Sequence, residues 1–225
     1  MSKQNHRYRV HFTKEAAARF IGHLDLQSLF QKAFKRAALP VAYSEGFNPH
    51  QLLSFAAPLP LGTAGKNEIL EIYMTQHIPA KAVVDGLNPL LPGGIVVLDA
   101  YIVSPTGKGA AALTRAAAYN IFFPANPDLS AKFGKIIDEI LAAPSIEVEK
   151  KTKKGRAMAD IRPDILALAM RNDDEICLTA TLSTGSNRNL KPEVLVEYMC
   201  AKANVVMEEP PRCVRLNLLL DEGGL

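Results

Sequence analysis

The spacing of apolar residues changes period along the first hundred positions, and those changes restrict the chain to alternating strands and helices. Arg7 to Thr13 alternates, with Tyr8, Val10 and Phe12 on one side, as a strand with a buried face does. From His23 to Leu39 the spacing becomes helical. Leu26, Leu29, Phe30, Ala33, Phe34 and Ala37 recur on one face, and Gln31, Lys32, Lys35 and Arg36 occupy the other. Pro40 ends this helix, because the residue before a proline is pushed out of the helical region. A short strand at Val41-Ala42-Tyr43 follows, then an extended piece from Leu52 to Ala57 and a strand from Glu68 to Met74. A helix after Pro79 through Leu87 and a strand from Ile95 to Val103 complete the run. Strand, helix, two strands, helix, strand is the ferredoxin-like order.

Ser104-Pro105-Thr106-Gly107-Lys108-Gly109 is a natural break. Beyond it the plan recurs: a strand from Ala118 to Phe123, a helix from Leu129 to Leu141, a basic extended segment from Ile146, and strands from Ile165 to Met170 and Ile176 to Leu182. A helix opening at Pro192 and a strand from Cys213 to Leu220 follow. The expected class is α+β, with two ferredoxin-like (βαββαβ) halves at 1–105 and 106–225. One continuous antiparallel sheet spanning both halves is the alternative arrangement.

A chain of 225 residues, 48% hydrophobic, can bury one substantial core or two small ones. There is no charged-then-apolar leader at Met1 to Val10 and no uninterrupted apolar run of membrane-spanning length, so a cytoplasmic protein without membrane attachment is expected. Cys177, Cys200 and Cys213 are odd in number and widely spaced, which argues against a disulfide framework. Each reads as a small buried hydrophobe. The same spacing offers no iron–sulfur cluster motif. Net charge is +3, too mild to indicate nucleic-acid binding by itself, but residues 1–105 hold ten Lys/Arg against seven Asp/Glu, whereas 106–225 hold sixteen of each. No Walker loop, dinucleotide fingerprint, G-x-S-x-G or H-E-x-x-H occurs.

Chemistry-bearing side chains are densest between Phe20 and Leu61. His23 and Asp25 stand at a helix start, where a carboxylate is favoured either as a cap or by the macrodipole. If His50 is brought to this end, two imidazoles and a carboxylate are available for proton transfer or a divalent metal. Tyr43, Ser44, Glu45, Gly46, Phe47, Asn48, Pro49 and His50 form a loop rich in turn residues. Phe47 either tucks into the core or stays exposed for stacking, and burial is the default for an aromatic. Lys32, Lys35 and Arg36 are a solvated helix face unless they lie beside that loop. In that case they supply phosphate contacts next to a stacking aromatic. Lys150 to Arg156 places five cations in seven positions, and Lys153, Lys154 and Arg156 flank a glycine at the tip of a charged hairpin or phosphate-gripping arm. Arg162, Arg188 and Lys191 lie in two further segments ending in proline. Asn189 is a candidate cap for the helix at Pro192.

His23-Leu24-Asp25, Leu39-Pro40, Tyr43 to His50 and Pro58 to Gly62, with Asp160-Ile161-Arg162-Pro163 and Asn189-Leu190-Lys191-Pro192, resemble the radical-SAM-linked proteins. This bacterial family is found beside or fused to B12-type radical SAM proteins. Gly22 stands where that family usually has serine, and Gln51 where a proline commonly follows the loop histidine. The resemblance implies a radical SAM partner that carries the iron–sulfur cluster and S-adenosylmethionine, with no cofactor or metal on this chain. The expected function is therefore an accessory or substrate-recognition protein, more a non-catalytic partner than an enzyme, whose substrate is RNA (tRNA or rRNA). Two alternatives stand beside it: a stand-alone RNA-modifying or RNA-processing enzyme using His23, Asp25 and His50, and a protein-only adaptor.

Overall fold

A computed structural model describes residues 5–152, 155–185 and 187–221. The protein is α+β. Its contacts divide it into two units, one of residues up to Thr114 joined by those from Arg215 onward, the other of residues from Arg115 to Val214. The division thus falls after Thr114 and not at 105, and the chain returns to the first unit at its end.

In unit 1 the order is β1 (His6–Lys14), a single 3-10 turn at Ala16–Phe20, α1 (His23–Arg36), β2 (Leu53–Phe55), β3 (Ala64–Met74), α2 (Ala80–Leu87) and β4 (Val97–Val103). β1 lies between β4 and β3, antiparallel to both, and β2 pairs with β3. The expected strand at Val41 to Tyr43 is reduced to two isolated bridges, Val41 with Met74 and Tyr43 with Gln51.

Tyr8, Val10 and Phe12 are buried as their alternation requires, against Phe30 and Phe34 of α1 and Leu70, Ile72 and Met74 of β3. The other side of β1 is buried too. Arg9 donates from Nε and Nη2 to Glu71 Oε1 at 3.2 and 3.1 Å, which makes a charged face compatible with burial. A second buried pair joins Arg215, on the final strand, to Glu68 of β3.

The outer edge of β4 is blunted. Asn88 bonds the N–H and C=O of Val97 with its side chain at 2.8 and 3.0 Å, and Asp99 Oδ1 accepts the N–H of Ala100 at 2.8 Å. Groups that could template another strand are thereby occupied.

α1 ends three residues before the expected Leu39. Ala38 adopts φ 51°, its N–H donates to Lys35 O at 3.1 Å, and the N–H of Leu39 reaches Phe34 O at 3.3 Å. This is the Schellman arrangement with alanine at the position glycine normally takes. Helix propensity in Ala37-Ala38 conceals it from the sequence.

α3 (Ala110–Leu113) closes the first run of unit 1, and β5 (Thr114–Phe123) leads into unit 2, which contains α4 (Pro127–Ala142), the hairpin β6 (Glu147–Thr152) and β7 (Gly155–Asp160), then β8 (Ile165–Asn172), β9 (Ile176–Ser183) and α5 (Pro192–Ala203), before β10 (Arg212–Leu220), whose residues from Arg215 belong to unit 1. β9 pairs antiparallel with β5 and β8, while β6 and β7, among the described residues, pair only with each other. Phe133 of α4 meets Phe123 edge-on in the core, with ring centroids 5.1 Å apart. Cys177 and Cys200 are buried and Cys213 is half-buried; burial pushes the Cys200 thiol pKa up. Among the described residues no helix is long and apolar enough to cross a membrane.

A candidate nucleic-acid cleft on unit 1

Burying Leu26, Phe30, Ala33 and Phe34 leaves Lys32, Lys35 and Arg36 of α1 exposed. The chain then passes Pro40 and forms a loop that closes on itself. Leu52 N–H donates to Ala42 O at 2.9 Å and Ser44 N–H to His50 O at 2.8 Å. Ser44 Oγ accepts the backbone N–H of His50 at 3.1 Å and lies 2.8 Å from His50 Nδ1. The hydroxyl, one donor with two acceptor lone pairs, serves Nδ1 in either tautomer of the ring.

Gln51 fastens the loop to the helix. It is 6% exposed, and its Nε2 donates to Gln31 O at 3.0 Å and to Tyr43 Oη at 3.4 Å. Its Oε1 is buried without a hydrogen-bond partner among the described residues.

Between helix and loop lies a shallow cleft of about 310 Å³, lined by Lys32, Lys35, Tyr43, His50, Gln51, Ser28, Gln31 and Pro49. Two ammonium groups, an imidazole and a half-exposed phenol face it, and among the described residues no carboxylate does. Glu45, Phe47 and Asn48 are exposed at the loop tip, and Arg36 is exposed on the same helix without lining the cleft. Phe47 is fully exposed, contrary to the burial expected for it. Gly46 at φ 111° turns the chain in open space, so the tip has no core to enter.

His23 and Asp25 do not join this group. Gly22 is the N-cap of α1 and no side chain caps it; Asp25 lies in the first turn, where the helix dipole favours a carboxylate. The His23 ring packs edge-on against Phe55 at 5.3 Å. Lys32 is nine residues further along, about 13 Å up the axis and half a turn round it. Gln51 meets α1 at Gln31 while Phe55 meets it at His23, so the chain runs antiparallel to the helix and carries His50 away from His23. Among the described residues no group of three or more His, Cys, Asp or Glu is placed to hold a metal. The two-imidazole site expected at the helix start is not assembled.

Residues 7–192 match the sequence model of a family described as an uncharacterized protein conserved in bacteria (DUF2344). The chain belongs to this family. The match takes in α1, the 43–51 loop and every residue that lines the cleft. Nothing in the family's description links it to radical SAM proteins. No curated protein matches the chain with significance.

The family match ends at Pro192, so it also includes the two proline-ended segments of unit 2, and these interlock. Arg188 Nε donates to Oδ1 of the buried Asp164. Asp160 accepts the N–H groups of Ile146 and Arg162 at 2.8 and 3.0 Å; these bonds hold its carboxyl below the usual range, with Ser145 and the charge of Arg188 adding to the effect. Arg162 donates to Leu141 O and Ile165 O at 3.1 Å each. Of the cations expected to meet RNA in this unit, Arg162 and Arg188 are thus engaged within the fold. Arg156 pairs with Glu149 across the hairpin at 3.0 Å. Lys191 is exposed and is itself the N-cap residue of α5, in place of the expected Asn189. Lys153 and Lys154 lie outside the described residues.

Sequence reasoning placed Gln31 on the polar face of the helix and noted Gln51 as a departure from the resembled family, but assigned neither of them, nor Ser28 or Asp164, to a site. Ser28 stands at i to the Gln31, Lys32 and Lys35 at i+3, i+4 and i+7, which extends that face by a turn.

Proposed function

We propose that this protein recognises single-stranded RNA through the cleft between α1 and the 43–51 loop, and that it serves a radical SAM enzyme as the substrate-binding partner. The observation that carries the first part is the grouping of Lys32, Lys35, Tyr43 and His50 around one carboxylate-free cleft, beside a fully exposed Phe47. Ammonium groups take phosphate oxygens, an aromatic face takes a base of any identity, and the His50 ring adds a polar nitrogen at the cleft. The partner assignment rests on the resemblance of the His23-Leu24-Asp25 and Tyr43 to His50 segments to radical-SAM-linked proteins. In this reading the cluster, S-adenosylmethionine and the radical step belong to the partner, and tRNA or rRNA is the substrate.

The test is anisotropy of a labelled single-stranded RNA 12-mer between 50 and 200 mM KCl. Each lost contact to single-stranded phosphate reduces the slope of log K against log salt by about 0.7, so Lys32→Gln with Lys35→Gln reduces it by about 1.4. Over that fourfold salt range the variant then loses about sevenfold less affinity than the native protein. Phe47→Ala weakens binding by about 1–3 kcal/mol, the value of one stacked base. Being fully exposed, Phe47 contributes no core packing that would confuse the result. An unchanged salt slope in the double variant refutes the cleft. Failure of the native protein to co-purify with, or to stimulate, a radical SAM enzyme from the same cell refutes the partnership alone.

A further inference from the structure

Unit 2 holds a concavity of about 750 Å³ between the first turn of α4 and the segment from Val205 to Arg212, well inside the size range of ligand sites. Its character is opposite to that of the cleft on unit 1. Asp128, Glu175, Glu208 and Glu209 line it, against Lys132 and Arg212. Arg212 is already neutralised: its Nη2 donates to Glu175 Oε2 at 2.6 Å, and its guanidinium carbon sits 3.8 Å from the centre of the Phe122 ring. Three carboxylates then remain against one ammonium, an excess of two negative charges. Apart from Asn126, the rest of the lining is apolar, with Val206 94% exposed, Met207 next to it and the rigid pair Pro210-Pro211 forming a wall.

We propose that this groove binds a basic peptide segment of a partner protein, in which Lys or Arg residues flank one apolar side chain. Phosphate is repelled by the excess carboxylates, which removes nucleic acid as occupant. A bare polyamine satisfies the charge but leaves Val206 and Met207 uncovered, whereas a peptide with an apolar anchor covers both features. Arg212 displays the mode of recognition within the chain itself, a guanidinium held between an aromatic face and a carboxylate. The proposal does not depend on the RNA reading, since none of its residues lines the cleft on unit 1.

The experiment is anisotropy of fluorescein-labelled Lys-Leu-Lys-Arg amide with the full chain, at low and at 300 mM salt. Expected are saturable binding that weakens with salt, a loss of at least tenfold on Glu208→Lys with Glu209→Lys, and a further loss on Val206→Asp. All three positions are exposed, and an unchanged circular dichroism spectrum confirms the fold. Equal binding of Glu-Leu-Glu-Glu amide, or no binding of the basic peptide at millimolar protein, overturns the proposal. So does equal competition by spermidine, which makes the apolar anchor irrelevant, or displacement by single-stranded RNA, which makes the occupant a nucleic acid.

Discussion

Replacing Arg215 by methionine tests a buried ion pair of unit 1. The guanidinium is 1% exposed and donates to both oxygens of Glu68, which is 4% exposed, and to the carbonyls of Pro58 and Ala57 at 3.2 and 3.0 Å. Removing one member of a buried pair leaves the other charge uncompensated, at about 3–5 kcal/mol. The two carbonyls add little, because Pro58 is exposed and Ala57 half-buried, so water can reach them. Lys14 offsets part of the loss: Arg215 lowers its pKa, and without that repulsion its ammonium is better able to balance Glu68. An expected cost of about 4 kcal/mol follows. Hydrogen exchange of β1 and β3 amides reads this directly for unit 1, where 4 kcal/mol is about a thousandfold loss of protection. Arg215→Met with Glu68→Leu recovers at least about 2 kcal/mol, since neither charge then remains unpaired. A single-variant loss below about 1 kcal/mol, or a double variant no better than the single, refutes the claim that the pair acts as a unit.

Three further outcomes are expected. Burial lowers the Lys14 pKa below its ordinary 10.5, so the unfolded chain binds the extra proton and stability rises with pH between the lowered value and 10.5; Lys14→Met removes that rise in urea midpoints. Asp160 has a depressed pKa, so its contribution is present above 3.8 and is lost as pH falls through the folded value; Asp160→Asn flattens that acid limb. Ala38→Gly relieves a left-handed alanine at the end of α1 and, net of the added freedom of the unfolded chain, raises stability by about 0.5–1 kcal/mol in thermal melts.

The periodicity of β1, α1 and α2 was legible because each has one face that must be apolar, and the buried residues fall where that spacing puts them. The second face of β1 was not, since no spacing in the sequence shows that Glu71 lies across the ladder from Arg9 and diagonally from Arg7. Histidine density misled for a geometric reason. His23 and Lys32 share a helix but, nine residues apart, point half a turn away from each other, and only the contact of Gln51 with Gln31 reveals which turn of α1 the loop meets. Phe47 departs from expectation because hydrophobicity says what a side chain gains by burial, not whether its loop has a core within reach.

Charge totals hide a division that the two sites make explicit. A net +3 over the whole chain predicts little about partners. Yet the cleft of unit 1 presents two ammonium groups and no carboxylate, while the groove of unit 2 carries four carboxylates against two cations. One polyanion cannot satisfy both surfaces, because what the first attracts the second repels, and the same holds in reverse for a basic peptide. On the two proposals made above, RNA in the unit 1 cleft and a basic peptide in the unit 2 groove, the protein would hold a nucleic acid and a polypeptide on separate surfaces, each occupant kept from the other's site by charge.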